Sequence, residues 1–445
     1  MTNKKMRLGA FVLTTGHHLA SWRYPTAGTE RIFDLDYYAE IAQLAERAKF
    51  DMFFLADAHM RPLSKDSYPG YQIDPVTLIS ALAAVTTNIG LTATLTSTYN
   101  EPFHIARKFN AIDHLSKGRA AWNVVTSFNS EEALLYGFEQ HVDHSKRYAR
   151  AEESIEVVKR FWSSIEEEAI LNDKERGKYL DPKKIHPVNH KGEFFKAQGT
   201  LESPTTPQGH PVIVQAGNSE AGRELAAKTA DVVFTAWQTL EEAQSFYRDV
   251  KGRLAKYGRQ PDDLKVMPGA FIIVGKTEEE AKRKREELNS YITPQDGLAY
   301  LSLYNVLDFD LTGYDINDPL PEGVGQNKDS TNPNMRPALV KAIAERNNLT
   351  TLREIYEHVG GARGHREIVG TPEQVVDQLE EWFLNDGADG FNIMAPHFPE
   401  GFKDIVELVI PELQRRGLFR TEYEASTLRG NLGVPIPTNP LVQFT

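Results

Sequence analysis

Short apolar runs alternate with longer amphipathic stretches along most of this 445-residue chain. The runs at residues 7–13, 51–56, 89–95, 119–125, 211–216, 231–234, 266–274 and 390–394 are rich in strand-forming side chains and do not alternate strictly with polar ones. That pattern predicts strands covered on both faces, hence a parallel sheet. Helical spacing follows each run, at 34–49, 74–86, 102–115, 145–162, 219–229, 240–257, 278–290 and 402–416, and a further helix at 372–385 leads into the last strand. Pro75, in the first turn of its helix, occupies a position that needs no backbone N–H. Eight strand–helix units predict an α/β fold of the (β/α)8 TIM-barrel type rather than an open sheet.

Three stretches break this rhythm. Residues 165–200 are polar and irregular and predict an insertion. Residues 291–370 hold Gly, Pro, Asn and Asp clusters with short helical pieces at 337–346 and 352–358. An insertion of that length predicts a lid or wall over the barrel mouth. Residues 424–445 are Pro-rich and predict an extended arm around the body or a partner subunit. The chain therefore reads as one barrel domain with insertions, because α/β barrels run long as single domains.

Charge and composition remove several function classes. A net charge of −12 with no dense basic run argues against a nucleic-acid partner. The absence of cysteine excludes disulfides, thiolate catalysis and Cys-based metal sites. The apolar run at 8–13 is too short and interrupted for a signal peptide. No segment approaches the ~18 apolar residues of a membrane span, so a cytoplasmic location is expected.

In a barrel, the residues just after each strand gather at one mouth. Here they are Thr14 to His18 after the first strand, Asp57 and His59 after the second, and Thr94 with residues 96–100 at the third. Asn123 and Thr126 mark the fourth, and Gln215 to Ser219 the fifth. Asn123 interrupts an apolar run. If Ala121, Asn123 and Val125 share a face, its amide is either satisfied inside the core or meets a polar ligand, since leaving it unpartnered costs about 1–3 kcal/mol. His144 and Tyr148 stand four apart at a helix start that Asp143 or Ser145 can cap. They either pack on a neighbouring helix or add an imidazole and a phenol to the positive end of the helix dipole, where a phosphate binds. Gln215-Ala-Gly-Asn-Ser219 reads as a strand, a glycine turn and a helix cap, the parts of a phosphate cradle. A hydrolytic metal site is disfavoured: adjacent His17 and His18 point apart, and there is no His-Glu-x-x-His helix. Neither a Gly-x-Ser-x-Gly elbow nor a Gly-x-Gly-x-x-Gly turn follows a strand, so hydrolase and Rossmann readings lack their marks.

Longer motifs carry a resemblance. They are Phe54-Leu-Ala-Asp57, Asn100-Glu-Pro-Phe-His104, and Asp113-His-Leu-Ser-Lys-Gly-Arg-Ala-Ala-Trp-Asn-Val-Val-Thr-Ser127. Arg147-Tyr148, Gln215-Ala-Gly217 with Ser219, Gly370-Thr-Pro-Glu-Gln374 and Asp389-Gly-Phe-Asn392 follow, then Pro411-Glu-Leu-Gln-Arg-Arg-Gly-Leu418 and Leu428-Arg-Gly-Asn-Leu-Gly433. Over essentially its whole length the chain resembles the bacterial luciferase-like flavin-dependent monooxygenases. Within them it is similar to the branch of nitrilotriacetate monooxygenase component A, dibenzothiophene-sulfone monooxygenase and long-chain alkane monooxygenase.

The resemblance implies a barrel holding reduced FMN at its mouth. Its FMN contacts fall on Asp57, Thr94, Asn123, His144, Tyr148, Asn218 and Ser219. His144, Tyr148 and Ser219 would hold the phosphate, and Asp57, Thr94 and Asn123 would lie near the isoalloxazine and ribityl chain. Relatives often carry Ser at position 218, where this chain has Asn, so the backbone N–H would serve there. His17 matches a substrate-side histidine, and His17 and Asn123 are the implied catalytic residues. Some relatives place a histidine where this chain has Phe128, which leaves a base at that position unsupported.

The implied mechanism is uptake of FMNH2 from a separate NAD(P)H:FMN reductase and reaction with O2 at flavin C4a. The resulting peroxide then attacks a small organic substrate such as an aminopolycarboxylate, a sulfone or another organosulfur compound. A homodimer or homotetramer is expected. Two other readings stay open: a deazaflavin-dependent dehydrogenase on the same barrel, and a non-catalytic flavin-binding protein. The run 122–127 argues against the first, and the polar strand ends with the long insertion against the second.

Overall fold

The computed structural model describes residues 4–57, 72–127, 129–303, 306–324 and 336–442. Eight strands form its centre: β1 (Arg7–Val12), β2 (Met52–Leu55), β3 (Gly90–Thr96), β4 (Ala120–Val125), β5 (Val212–Gln215), β6 (Val232–Thr235), β7 (Lys265–Val274) and β8 (Gly390–Met394). Each pairs in parallel with the next, and β8 pairs back onto β1, so the sheet closes into the expected barrel.

Helices follow the strands as the spacing predicts: α1 (Leu35–Arg47), α2 (Pro75–Val85), α3 (Pro102–Leu115), α4 (His144–Trp162), α5 (Glu220–Thr229), α6 (Leu240–Arg253) and α7 (Glu278–Ser290). Local chemistry sets their starts. Asp74 Oδ1 accepts from Thr77 N at 2.7 Å ahead of Pro75, and Thr239 with Glu242 forms a capping box before α6. After β8 the helical run Glu400–Asp404 passes through a π-helical turn, Ile405–Val409, into Ile410–Arg415.

The period-two alternation of each strand divides its side chains between two cores. Leu8, Ala10 and Val12 of β1, Leu91, Ala93 and Leu95 of β3, and Trp122 and Val124 of β4 pack under the helices. Phe11, Met52, Phe54, Ala121, Val212, Val214, Val232, Met267 and Met394 point into the barrel. This two-sided burial is why the strands lack polar alternation.

The irregular stretches hold more structure than their composition suggests. Within 165–200 lie two antiparallel hairpins, Ile170–Asp173 with Lys178–Leu180 and Val188–Lys191 with Lys196–Gly199. Most of their side chains face solvent on both sides, so no apolar periodicity marks them. In the second insertion, helices Pro294–Ser302, Arg336–Arg346 and Leu352–Ala362 surround their own buried cluster, with Leu301, Leu307, Ile343, Leu352 and Ile355. It ends in a strand the sequence does not reveal, Arg366–Gly370. This strand pairs with Ala270–Val274 of β7, just beyond Lys265–Pro268 where β6 pairs, and so raises the barrel wall at the mouth.

The C-terminal segment is not simply an extended arm. Its short helix Leu428–Leu432 puts Leu428 and Leu432, with Val434, into the barrel's interior cluster. A side chain at Gly90, the first residue of β3, would meet Leu428 Cδ1 at 2.5 Å, which places this plug at the N-terminal end of the strands. The turn at Gly118 accepts it closely. Gly118 has φ +87°, its carbonyl accepts from Leu428 N at 3.0 Å, and a Cβ there would sit 2.8 Å from Thr427. Buried Arg429 then bonds both oxygens of Asp231, at 2.8 and 3.0 Å. Leu428→Ala is expected to lower the free energy of unfolding by about 2–5 kcal/mol, the range for a fully buried leucine. Urea unfolding followed by fluorescence would show it as a lower midpoint with an unchanged slope.

Candidate active site

The interior register puts a polar layer above the apolar floor. Thr94 of β3 and Asn123 of β4 are directly paired and both buried. Thr94 Oγ1 donates to Leu55 O at 2.8 Å and accepts from Asn123 Nδ2 at 2.7 Å. Because the carbonyl takes the hydroxyl proton, Thr94 offers Asn123 only lone pairs. This fixes the amide with its NH2 toward Thr94 and its Oδ1 away. Asn123 Oδ1 has no hydrogen-bond partner among the described residues. The amide is thus half satisfied in the core, and its other half is an open acceptor.

Other open polar atoms collect at the same end of the strands. Among the described residues, neither amide atom of fully buried Asn392 on β8 is bonded, nor are Gln215 Oε1, Asn218 Oδ1, Thr235 Oγ1 or Trp237 Nε1. Gly9 makes room for Asn392: a Cβ there would lie 2.0 Å from its Oδ1.

His17 lies on the loop after β1 with 2 % of its surface exposed. Its Nε2 donates to Phe11 O at 2.9 Å, since the carbonyl can only accept. The ring therefore carries its lone pair on Nδ1, which has no partner among the described residues. Burial, then the Arg363 guanidinium, push its pKa well below the usual histidine value, so the ring is neutral at pH 7. Its edge packs on Phe11 (centroids 4.5 Å), which continues into Phe54 and Phe234 at 5.0 and 5.2 Å. His18 points the other way, as adjacency requires, with Nε2 on Asn289 Oδ1 of α7 at 3.0 Å.

The helix start at His144 differs in detail from the expectation. Asp143 is the N-cap, but no side chain caps α4 among the described residues, neither Asp143 nor Ser145. The His144 and Tyr148 rings face one another with centroids 4.8 Å apart. Burial and Arg147 lower the His144 pKa. Helix α5 packs beside α4. There Ser219 Oγ accepts from Gly222 N at 3.1 Å, which leaves the hydroxyl proton available. Gly217 and Gly222 touch so closely that a Cβ on either would lie 2.9 Å from the other's Cα. Asp57 is half-buried and accepts from Gln72 Nε2 at 2.7 Å. His59 and Phe128 lie outside the described residues.

The description luciferase-like monooxygenase matches residues 6–390. The chain belongs to that family. It is 50% identical over 454 residues to nitrilotriacetate monooxygenase component A of Aminobacter aminovorans, covering 99% of each chain. It is 48% identical over 443 residues to N-acetyl-S-(2-succino)cysteine monooxygenase of Bacillus subtilis (strain 168), again covering 99% of each. The EDTA monooxygenase structure from Chelativorans sp. BNC1 superposes with a TM-score of 0.79 at 32% identity, over 97% of this chain and 99% of that one. No helix among the described residues is long and apolar enough to cross a membrane.

In this luciferase-like monooxygenase, Asn392, Arg363 and His365 do not stand out by position at a strand end. Asn392 could have been found by the argument applied to Asn123, an amide among apolar side chains on the inward face of a strand. Arg363 and His365 sit in a Gly-rich turn after helix Leu352–Ala362, with no pattern to show that the turn returns to the mouth.

Proposed function

We propose that the mouth binds reduced FMN, and that the enzyme is the oxygenase component of a two-component system fed by a separate NAD(P)H:FMN reductase. The observation that carries this reading is the buried, fixed and open acceptor at Asn123 Oδ1, deep in the polar layer. A flavin offers N–H and O–H donors along its ring edge and ribityl chain, and buried acceptors such as Asn123 Oδ1 and Asn218 Oδ1 need donors. Its phosphate needs the opposite. The uncapped start of α4, His144, Tyr148 and the Ser219 hydroxyl are donors at two adjacent helix N-termini. When bound, reduced FMN supplies the electrons that let one atom of O2 pass to substrate. The chain's part is to orient and to keep water out. Phe11, Phe54 and Phe234 form the dry floor, Thr94 holds Asn123 in one orientation, and Asp57 lies on the β2 side. His17 presents a neutral acceptor to a substrate N–H or O–H.

Residues 291–370 would close over bound substrate, with the strand Arg366–Gly370 anchoring them to β7. The substrate is a small organic molecule, and the relatives' names favour carboxylate-bearing amines and thioethers.

His144→Ala and Tyr148→Phe are expected to weaken FMN by about 1.5–3 kcal/mol, the worth of one charge-assisted bond, and to leave riboflavin nearly unaffected. Fluorescence titration of both flavins checks this, and equal losses for the two would remove the phosphate assignment. Oxygen uptake with photoreduced FMN separates this reading from a deazaflavin dehydrogenase or a passive flavin carrier, neither of which consumes O2 in a substrate-dependent way.

A further inference from the structure

We infer that Thr94 is a positioning residue that makes the site selective for the reduced state of its flavin. It locks Asn123 with Oδ1 open, and that fixed acceptor meets the N5–H that an isoalloxazine carries only when reduced. The inference deepens the proposed function and rests on it for the presence of a flavin.

The lock is built from the neighbours of Asn123 in the sheet. Thr94 Oγ1 gives its one proton to Leu55 O at 2.8 Å. Toward Asn123 it therefore offers only lone pairs, and Asn123 Nδ2 donates to it at 2.7 Å. On the other side, the residue paired with Asn123 on β5 is Val214, whose side chain has no polar atom. Turning the amide over would set Oδ1 against the Thr94 lone pairs and leave Nδ2 without its acceptor. Both changes are costly in a buried site, and Thr94 and Asn123 are 2 % and 4 % exposed. The chain thus presents an acceptor, and no donor, at this point. Asn392 on β8 is the contrast: neither of its amide atoms is bonded among the described residues, so no hydrogen bond fixes which end it presents.

Only some ligands require such a lock. A ribityl hydroxyl can donate or accept, and the pyrimidine edge of a flavin offers C=O and N–H side by side, so an amide in either orientation would serve them. N5 has one character at a time. In oxidised flavin it is a ring nitrogen with a lone pair, and in reduced flavin it is an N–H. Against Asn123 Oδ1 the reduced ring makes a hydrogen bond. The oxidised ring sets lone pair against lone pair and leaves a buried acceptor unpaired. The contact that holds FMNH2 therefore loosens FMN after turnover, with no moving part.

Anaerobic titration of the full chain with photoreduced FMN, beside fluorescence titration with oxidised FMN, gives the ratio of the two dissociation constants without turnover. The wild type is expected to hold the reduced form at least about tenfold more tightly, which raises the midpoint potential of the bound flavin by about 30 mV or more above that of free FMN. Thr94→Val keeps the shape but removes the lone pairs that fix the amide, and should bring the ratio to within about threefold of one. Thr94→Ser keeps the hydroxyl and should keep the wild-type ratio. Asn123→Leu should weaken the reduced form alone. Tyr148→Phe, at the phosphate end, should weaken both forms alike and leave the ratio unchanged. A wild type that binds both forms equally, an Asn123→Leu variant that loses both equally, or a Thr94→Val variant with the wild-type ratio would each overturn the selectivity and leave the flavin site standing. Binding of neither form by the wild type would overturn the proposed function, and this inference with it.

Discussion

Mixed with NADH or NADPH and FMN, the purified protein is expected to consume no substrate-dependent oxygen until a flavin reductase is added, and then to start at once. Hydride transfer from a nicotinamide needs a second dinucleotide site whose reactive carbon meets the flavin ring. No strand in this chain is followed by the Gly-x-Gly-x-x-Gly turn that would hold such a cofactor. Gly217, in the turn after β5, packs closely on Gly222 of α5, and the turn presents one helix N-terminus and no second glycine-rich cradle. An oxygenase that takes up FMNH2 and releases FMN in each cycle should also hold the oxidised form weakly, because tight uniform binding slows exchange. The protein should therefore purify nearly colourless, and any competent reductase should serve, including one that forms no stable complex with it. Stoichiometric yellow flavin that NAD(P)H bleaches in the absence of reductase would overturn the two-component reading.

What the sequence reveals follows from where periodicity survives. The barrel strands are apolar on both faces and the helices amphipathic, so all eight units are visible in the chain, and Asn123 stands out because an amide there violates the pattern. The hairpins between Ile170 and Gly199 are solvated on both faces and carry no such contrast. Strand Arg366–Gly370 is five residues long with three half-buried positions, so its assignment depends on β7 beside it. Leu428, Leu432 and Val434 look like ordinary tail residues, and only the closed barrel gives them a hole to fill. At the site, the strand-end rule locates Thr94, Asn123, Gln215 and Ser219 by chain position alone. It does not find Arg363 and His365, which lie in the insertion after α7, 89 and 91 residues past the end of β7 at Val274. The helix-start pattern offers Asp143 or Ser145 as a cap, and neither side chain makes it.

Acidification from pH 6.5 toward 4 is expected to unfold the protein cooperatively. Four buried histidines are held neutral: His18 and His397 with pKa lowered to about 4, His210 to about 3, and His17 well below its usual value, each chiefly by burial. Their next neighbours worsen matters, because Arg285 faces His18, Lys284 faces His397, Lys159 and Arg429 face His210, and Arg363 faces His17, all cations. Two of the rings also accept backbone N–H bonds that a proton would abolish, His18 Nδ1 from Ala20 N at 3.2 Å and His397 Nδ1 from Gly401 N at 3.3 Å. The unfolded chain takes up these protons as pH falls below about 6.5, whereas the folded chain resists until about 4 at His18 and His397 and about 3 at His210. Stability is therefore full above pH 6.5 and is lost across that window. Each histidine contributes a slope of about 1.4 kcal/mol per pH unit. Asp113 opposes them: burial raises its pKa to about 6, so the folded state binds its proton first and gains as pH falls. A slope of that size at several sites together is large against a total stability of roughly 5–15 kcal/mol for a typical protein. Circular dichroism against pH should show the midpoint between pH 6 and 4, with its onset above the pH at which ordinary carboxylates take up protons. His210→Gln, which removes one resisting proton site and leaves the proposed substrate contacts alone, should lower the slope by about 1.4 kcal/mol per pH unit and move the midpoint down. A protein that keeps its fold unchanged at pH 4, or a His210→Gln variant with the wild-type slope, would show that the buried rings do not control acid stability.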